Sequence, residues 1–204
     1  MPNPETLEAQ LARDLDGAFE RLVSEYQDRL FGFALRLCRN REDAEEVAQD
    51  SLVRAYRALK TYPADRIRAL SLRAWLFRIA LNVARNRFRR RRQVTVPLET
   101  AGGRGEDGAR PFDPVDDPEE RPDRRLEKSR GRADLETLVH ALPDRFRTAL
   151  ILRYIEEMPI AEVATVLGQP LGTAKSNVHR AINALRVSLS NSRSARVRAL
   201  EAIR

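Results

Sequence analysis

Apolar residues recur along much of this chain at the three- and four-residue steps of an α-helix. Phe19, Leu22, Val23, Tyr26, Leu30, Phe33, Ala34 and Leu37 keep that spacing, and Asn40-Arg41-Glu42-Asp43 reads as a break and restart. A second helix follows. One face holds Ala44, Val47, Ala48, Leu52, Ala55, Tyr56 and Leu59, and the other holds Glu46, Gln49, Asp50, Val53 and Arg57. Thr61–Ser71, which contains Pro63, is expected to be a loop. A third helix begins near Leu72, with Leu76, Ile79, Ala80 and Val83 inward.

From Gln93 to Arg125 the pattern collapses into glycine, proline and acid, with Gly102, Gly103, Pro114, Asp116, Asp117, Pro118, Glu119 and Glu120 among them. Such composition buries too little apolar surface to offset the entropy of ordering, so a flexible acidic linker is predicted. Periodicity returns at Leu126. Leu135, Leu138, Val139 and Leu142 lead to Pro143, and a helix through Phe146, Leu150, Ile151 and Tyr154 follows.

The most specific pattern is Ile160–Arg186. Ile160, Val163, Ala164 and Leu167 form one apolar helix face; Gly168 sits where a helix stops, and Pro170 bars simple continuation. A second stripe runs through Ala174, Val178, Ala181, Ile182 and Leu185. Thr173, Ser176 and Arg180 point away from it, flanked by Lys175 and His179. Two short helices with a tight turn, the second rich in donors at its start, are the pattern of a helix-turn-helix that enters the DNA major groove.

The expected fold class is all-α, with two small helical domains at 15–92 and 126–189 joined by the flexible acidic linker at 93–125. An N-terminal arm at 1–14 and a basic C-terminal tail at 190–204 flank them. In the tail, Val197, Leu200 and Ile203 give one weak terminal helix.

Charge sharpens the picture. The 204 residues carry a net charge of +7, which points to a polyanionic partner. Cys38 is the sole cysteine and sits among apolar residues, so it reads as a core thiol, with no disulfide framework or cysteine-rich zinc site. No apolar run approaches the ~20 residues that span a bilayer, and MPNPETLEAQ lacks a basic and apolar leader. A cytoplasmic protein without membrane insertion is expected.

The third helix carries Arg78, Asn82, Arg85 and Arg89 at i, i+4, i+7 and i+11, running into Arg90, Arg91 and Arg92. Guanidiniums so placed bind phosphates, and an amide among them can pair with a base edge. A solvated helix end would look the same, since cations favour a helix C-terminus. The helix-turn-helix in the same chain tips the reading to nucleic acid. Glu45, Glu46 and Asp50 suit a solvated or partner-binding face; catalysis needs a convergent group and a pocket, and neither is suggested. His140 and His179 lie on different predicted helices, so no metal site is expected, nor any cofactor or enzyme activity.

In this order, the pieces resemble an extracytoplasmic-function (ECF) sigma factor of bacterial RNA polymerase. DAEEVAQDSLVRAYRAL (Asp43–Leu59) is similar to that family's core-binding segment, and RAWLFRIALNVARNRFRRRR (Arg73–Arg92) to its segment for the −10 element. ALPDRFRTALILRY (Ala141–Tyr154) and EVATVLGQPLGTAKSNVHRAINALR (Glu162–Arg186) resemble its −35-reading domain. The resemblance implies that Glu46, Gln49, Asp50 and Leu52 dock the clamp helices of the polymerase's largest subunit, and Val53 lies on the same face as Glu46, Gln49 and Asp50 and is taken with them as core-binding. It implies a −10 surface of Arg78, Asn82, Arg85 and Arg89, with Asn82 on a non-template base. It also implies a −35 surface of Thr173, Lys175, Ser176, His179 and Arg180, a base-trapping role for Thr61–Ser71, and partners that include promoter DNA, the flap of the second-largest subunit and an anti-sigma factor. Few aromatics fall on the DNA side of the first block, so weak intrinsic melting is expected. Two rival readings are a stand-alone helix-turn-helix regulator, which would bind duplex DNA without polymerase, and a sigma-like decoy, which would bind a protein and no promoter.

Overall fold

The computed structural model describes residues 5–94 and 135–201, with side chains over 5–90 and 135–190. All regular structure among the described residues is helical, and the chain divides into two compact units.

The first unit holds α1 (Leu7–Arg13), α2 (Leu15–Cys38), α3 (Arg41–Leu59), α4 (Ala64–Arg68) and α5 (Leu72–Val94). Caps set the boundaries. Asp14 ends α1, and its side chain accepts a hydrogen bond from Gly17 N, opening α2. Arg39 adopts the left-handed region at φ 59°, closing α2, and Asn40 accepts from Asp43 N at 2.8 Å to start α3. The break is therefore tighter than the sequence suggests.

The core forms where α2, α3 and α5 meet, α2 packing on both of the others and α3 on α5. Phe33 and Phe77 are fully buried edge to face, with centroids 5.1 Å apart. Ala34, Ala44, Ala55, Ala74 and Ala80 are also fully buried, and such small side chains let helix backbones approach closely.

Two elements depart from expectation. The segment at 1–14 is not a simple arm: Thr6 caps α1, and Leu7 and Leu11 are buried as α1 packs on α2 and α4. The expected loop Thr61–Ser71 contains α4, a short helix entered from Pro63 and pinned by buried Ile67. Proline's fixed φ suits a helix start, so Pro63 initiates structure here. The expected boundary at 92 falls inside α5, which ends at Val94; the rest of the expected linker at 93–125 lies outside the described residues.

The second unit holds a helix whose described part covers 135–141 (α6), α7 (Asp144–Leu150), α8 (Ile160–Leu167) and α9 (Leu171–Glu201). Leu142, Leu150 and Ala181 centre one cluster with Val139, Phe146, Ile182, Ala184 and Leu185. The sequence pattern carries the helix of α7 on through Tyr154. Instead, a wider π-helical turn runs over Ile151–Ile155. The shift in phase turns Tyr154 outward, 55% exposed, where an unbroken α-helix would place it beneath Leu150 on the buried face. Arg153 then donates to Met158 O, and Glu157 takes φ 53° to lead into α8. The expected separate tail at 190–204 is also corrected, because α9 continues without a break to Glu201. No glycine or proline interrupts the chain after Gly172, so nothing stops the helix.

Candidate nucleic-acid interface

On α5, Arg78, Asn82, Arg85 and Arg89 are all exposed. At 3.6 residues per turn they project within an arc of about 60°. Carboxylates neutralise neither Arg78, Arg85 nor Arg89 in the ion pairs of the described residues, so this strip presents net positive charge.

Aromatic residues join the strip, contrary to the expectation from sequence. Tyr62 and Trp75, both half-exposed, lie with ring centroids 6.0 Å apart, and the Arg66 guanidinium of α4 stacks 3.7 Å over Tyr62. Trp75 lies one turn before Arg78. Folding of Thr61–Ser71 brings Tyr62 to it from outside α5, which no spacing within one helix reveals.

Arg87 falls on the opposite side of α5. Its Nε donates to Asp43 Oδ1 at 2.7 Å, and Nη1 pairs with Glu46. Asp43 is 1% exposed. The hydrogen bonds to Asp43, then to Glu46, hold the Arg87 guanidinium above its ordinary pKa. This latch ties the first turns of α3 to the last turns of α5. Helix phase reveals it: nine residues after Arg78 is half a turn away from the strip.

The α3 candidates divide. Gln49 is exposed and Val53 is 45% exposed. Asp50 shares this face, bound by Arg54 at 2.9 Å. Glu46 is exposed too but is engaged by Arg87, and Leu52 is half-buried on the shoulder of the packed face. Gln49, Asp50 and Val53 thus form the open part of the predicted docking surface.

In the second unit, Gly168 closes α8 at φ 64°. Asn177 of α9 is buried and donates to Gln169 Oε1 at 2.9 Å, locking the turn to the second helix. Pro170 O accepts from Thr173 N and Ala174 N. This fixes the start of α9, where Thr173, Lys175, Ser176, His179 and Arg180 are all exposed. His179 differs from the others, since its Nε2 lies 2.9 Å from Asn183 Nδ2, so its ring is held along the helix. The sequence reading omits Leu171, 53% exposed at the helix tip, and Gly172, whose missing side chain leaves open space around it. A backbone able to approach closely, beside an apolar tip, suits a groove floor with thymine methyls.

Among the described residues, no cluster of His, Cys, Asp and Glu is placed to hold a metal, and no helix is long and apolar enough to cross a membrane.

Comparison with known proteins covers both units. The family model for Sigma-70 region 2 matches residues 22–94, and that for Sigma-70 region 4 matches residues 132–185. The chain is 30% identical over 189 residues to the ECF RNA polymerase sigma factor SigW of Bacillus subtilis, covering 88% of this chain and 93% of that protein. It is 33% identical over 171 residues to the RNA polymerase sigma-E factor of Streptomyces coelicolor, covering 84% and 85%. Among solved structures it is similar to CnrH in complex with the cytosolic domain of CnrY, with a TM-score of 0.62, 26% identity and coverage of 91% and 96%. It is also similar to the sigma factor RpoE of Bartonella quintana in complex with the anti-sigma factor NepR, with a TM-score of 0.60, 25% identity and coverage of 84% and 96%.

Proposed function

The chain belongs to the ECF sigma factors of bacterial RNA polymerase, and from that membership we propose how its two units share promoter recognition. It is a promoter-specificity subunit: it binds core RNA polymerase and promoter DNA, supports transcription initiation, and is not an enzyme.

The start of α9 enters the major groove of the duplex −35 element, with Ser176 and Arg180 toward base edges and Thr173, Lys175 and His179 on the backbone or groove wall. The α5 strip takes the −10 element after melting. Arg78, Arg85 and Arg89 hold phosphates, and Asn82, able to donate and accept, reads a base. Unstacking a base costs a few kcal/mol, which the faces of Tyr62 and Trp75 offset in part by stacking. Gln49, Asp50 and Val53 dock the clamp helices of the largest subunit, and the second unit meets the flap of the second-largest. The observation that carries this reading is the pair of exposed donor faces, one in each compact unit, with the half-exposed Tyr62–Trp75 pair beside the first. That pairing fits one single-stranded and one duplex element. An anti-sigma factor holds the chain in reserve in the cytoplasm, a partnership supported by the complexes of CnrH and RpoE.

The docking surface is tested by Gln49→Ala combined with Asp50→Lys. The change places like charges at Asp50 and Arg54, which costs the helix only a few tenths of a kcal/mol. Binding to core polymerase is expected to fall about tenfold or more, since like charge is set against a surface that accepts an acid. Circular dichroism is expected to be unchanged. Co-elution with core at moderate salt equal to that of the parent protein contradicts the assignment.

A further inference from the structure

α4 carries Arg66, which covers Tyr62 at the head of the α5 strip. Yet α4 is five residues long, too short to hold its own shape in water. It has one buried residue, Ile67, and its main packing partner is α1 rather than α2, α3 or α5. α1 packs on both α4 and α2 and buries one apolar face in doing so. Leu11 is 1% exposed and Leu7 is buried beside it, one turn apart on one face. A polar contact ties α1 to α2, where Arg21 donates to Gln10 Oε1 at 3.0 Å, and Arg13 pairs with Glu5 at 3.2 Å along α1 itself. Asp14 fixes the angle at which α1 meets α2. The Sigma-70 region 2 match begins at residue 22, so the element that supports α4 lies outside the matched segment.

We propose that α1 is a brace that sets the position of α4, and with it Tyr62 and Arg66, against the −10 strand, and that Leu11 is its main positioning residue. The proposal rests on the reading of α5 and Thr61–Ser71 as the −10 surface. The physical argument is one of preorganisation. Capture of an unstacked base is favourable only if the receiving aromatic and cation are already in place, because ordering them on binding costs free energy. Burial of two leucines on a seven-residue helix supplies that order at a distance from the DNA.

Full-length protein with core polymerase tests this. Leu11→Ala, the milder Leu7→Ala and Ile67→Val, and Asn82→Ala are compared with the parent chain. Amide exchange over 64–70 and base preference across a randomised −10 library are read alongside core affinity. Leu11→Ala is expected to speed exchange at 64–70 about tenfold or more while α3 keeps its protection, since the lost packing is local. It is expected to flatten preference at one or two −10 positions, with −35 preference and core affinity unchanged. Leu7→Ala and Ile67→Val are expected to show the same pattern more weakly, and they decide the matter if Leu11→Ala does not fold. Unchanged exchange at 64–70 in the folded variants overturns the brace. Faster exchange with parent-like −10 preference also overturns it if Asn82→Ala does alter that preference. Parent-like preference in both Leu11→Ala and Asn82→Ala overturns the reading of the −10 surface and the proposal with it.

Discussion

Arg87→Ala is expected to destabilise the first unit by about 2–3 kcal/mol, measured by chemical denaturation. The change leaves the Asp43 carboxylate, 2% exposed at its side chain, without the guanidinium that holds it at 2.7 Å. Removing one partner of a buried ion pair typically costs about 3–5 kcal/mol, because the remaining charge stays desolvated. The Arg87 side chain is 32% exposed, so water reaches the gap and the loss falls at or just below the low end of that range. Asp43 also sits in the first turn of α3, where the helix dipole favours an acid. Replacing both groups together, Asp43→Leu with Arg87→Met, is expected to recover most of the loss, since the penalty belongs to a buried charge that has lost its guanidinium and not to the absence of the pair. A loss below about 0.5 kcal/mol for Arg87→Ala would assign the latch no more than the value of a surface salt bridge.

Arg180→Ala is expected to lower transcription from a −35-dependent promoter about 10- to 100-fold, the equivalent of about 1–3 kcal/mol for one lost base-edge contact. Arg180 is exposed, one turn after Ser176, on a helix whose start is fixed by Pro170 and by the Asn177–Gln169 bond. The side chain therefore acts from a rigid base, and the loss is expected to be confined to one or two −35 positions, where the parent's preference disappears. Binding measured on −35 duplex variants checks this. An equal loss on every variant makes Arg180 a phosphate contact, which positions the helix without reading sequence.

Much of this was legible in sequence because it leaves marks in composition or period. Gly168 and Pro170 announce the turn of the helix-turn-helix, and the structure places a left-handed residue at Gly168. The α5 strip follows from residues four and three apart. The hidden parts are short or depend on the third dimension. α1 and α4 span seven and five residues, which give too few apolar positions to establish a period. The outward turn of Tyr154 comes from a one-residue change of register that apolar residues alone do not signal. Arg87 is concealed among neighbouring arginines, although its phase on the helix separates it from Arg85 and Arg89. Leu52, assigned to a docking face by resemblance, is half-buried on α3, an exposure that the apolar period alone does not give.

On the proposed division of labour, the first unit reads a melted −10 strand through α5 while arginines around the reader only position it. In vitro transcription with core polymerase, on a −10 library across a salt series, tests this with Asn82→Ala and Arg85→Ala side by side. Asn82→Ala is expected to change −10 base preference and to leave the salt dependence of open-complex formation as it was. Arg85→Ala is expected to weaken all promoters alike and to flatten the salt dependence by a slope of about 0.7, the value for one single-strand phosphate contact. Two variants that behave identically, with no change in base preference in either, would make α5 an electrostatic clamp and overturn the assignment of Asn82 as the base reader.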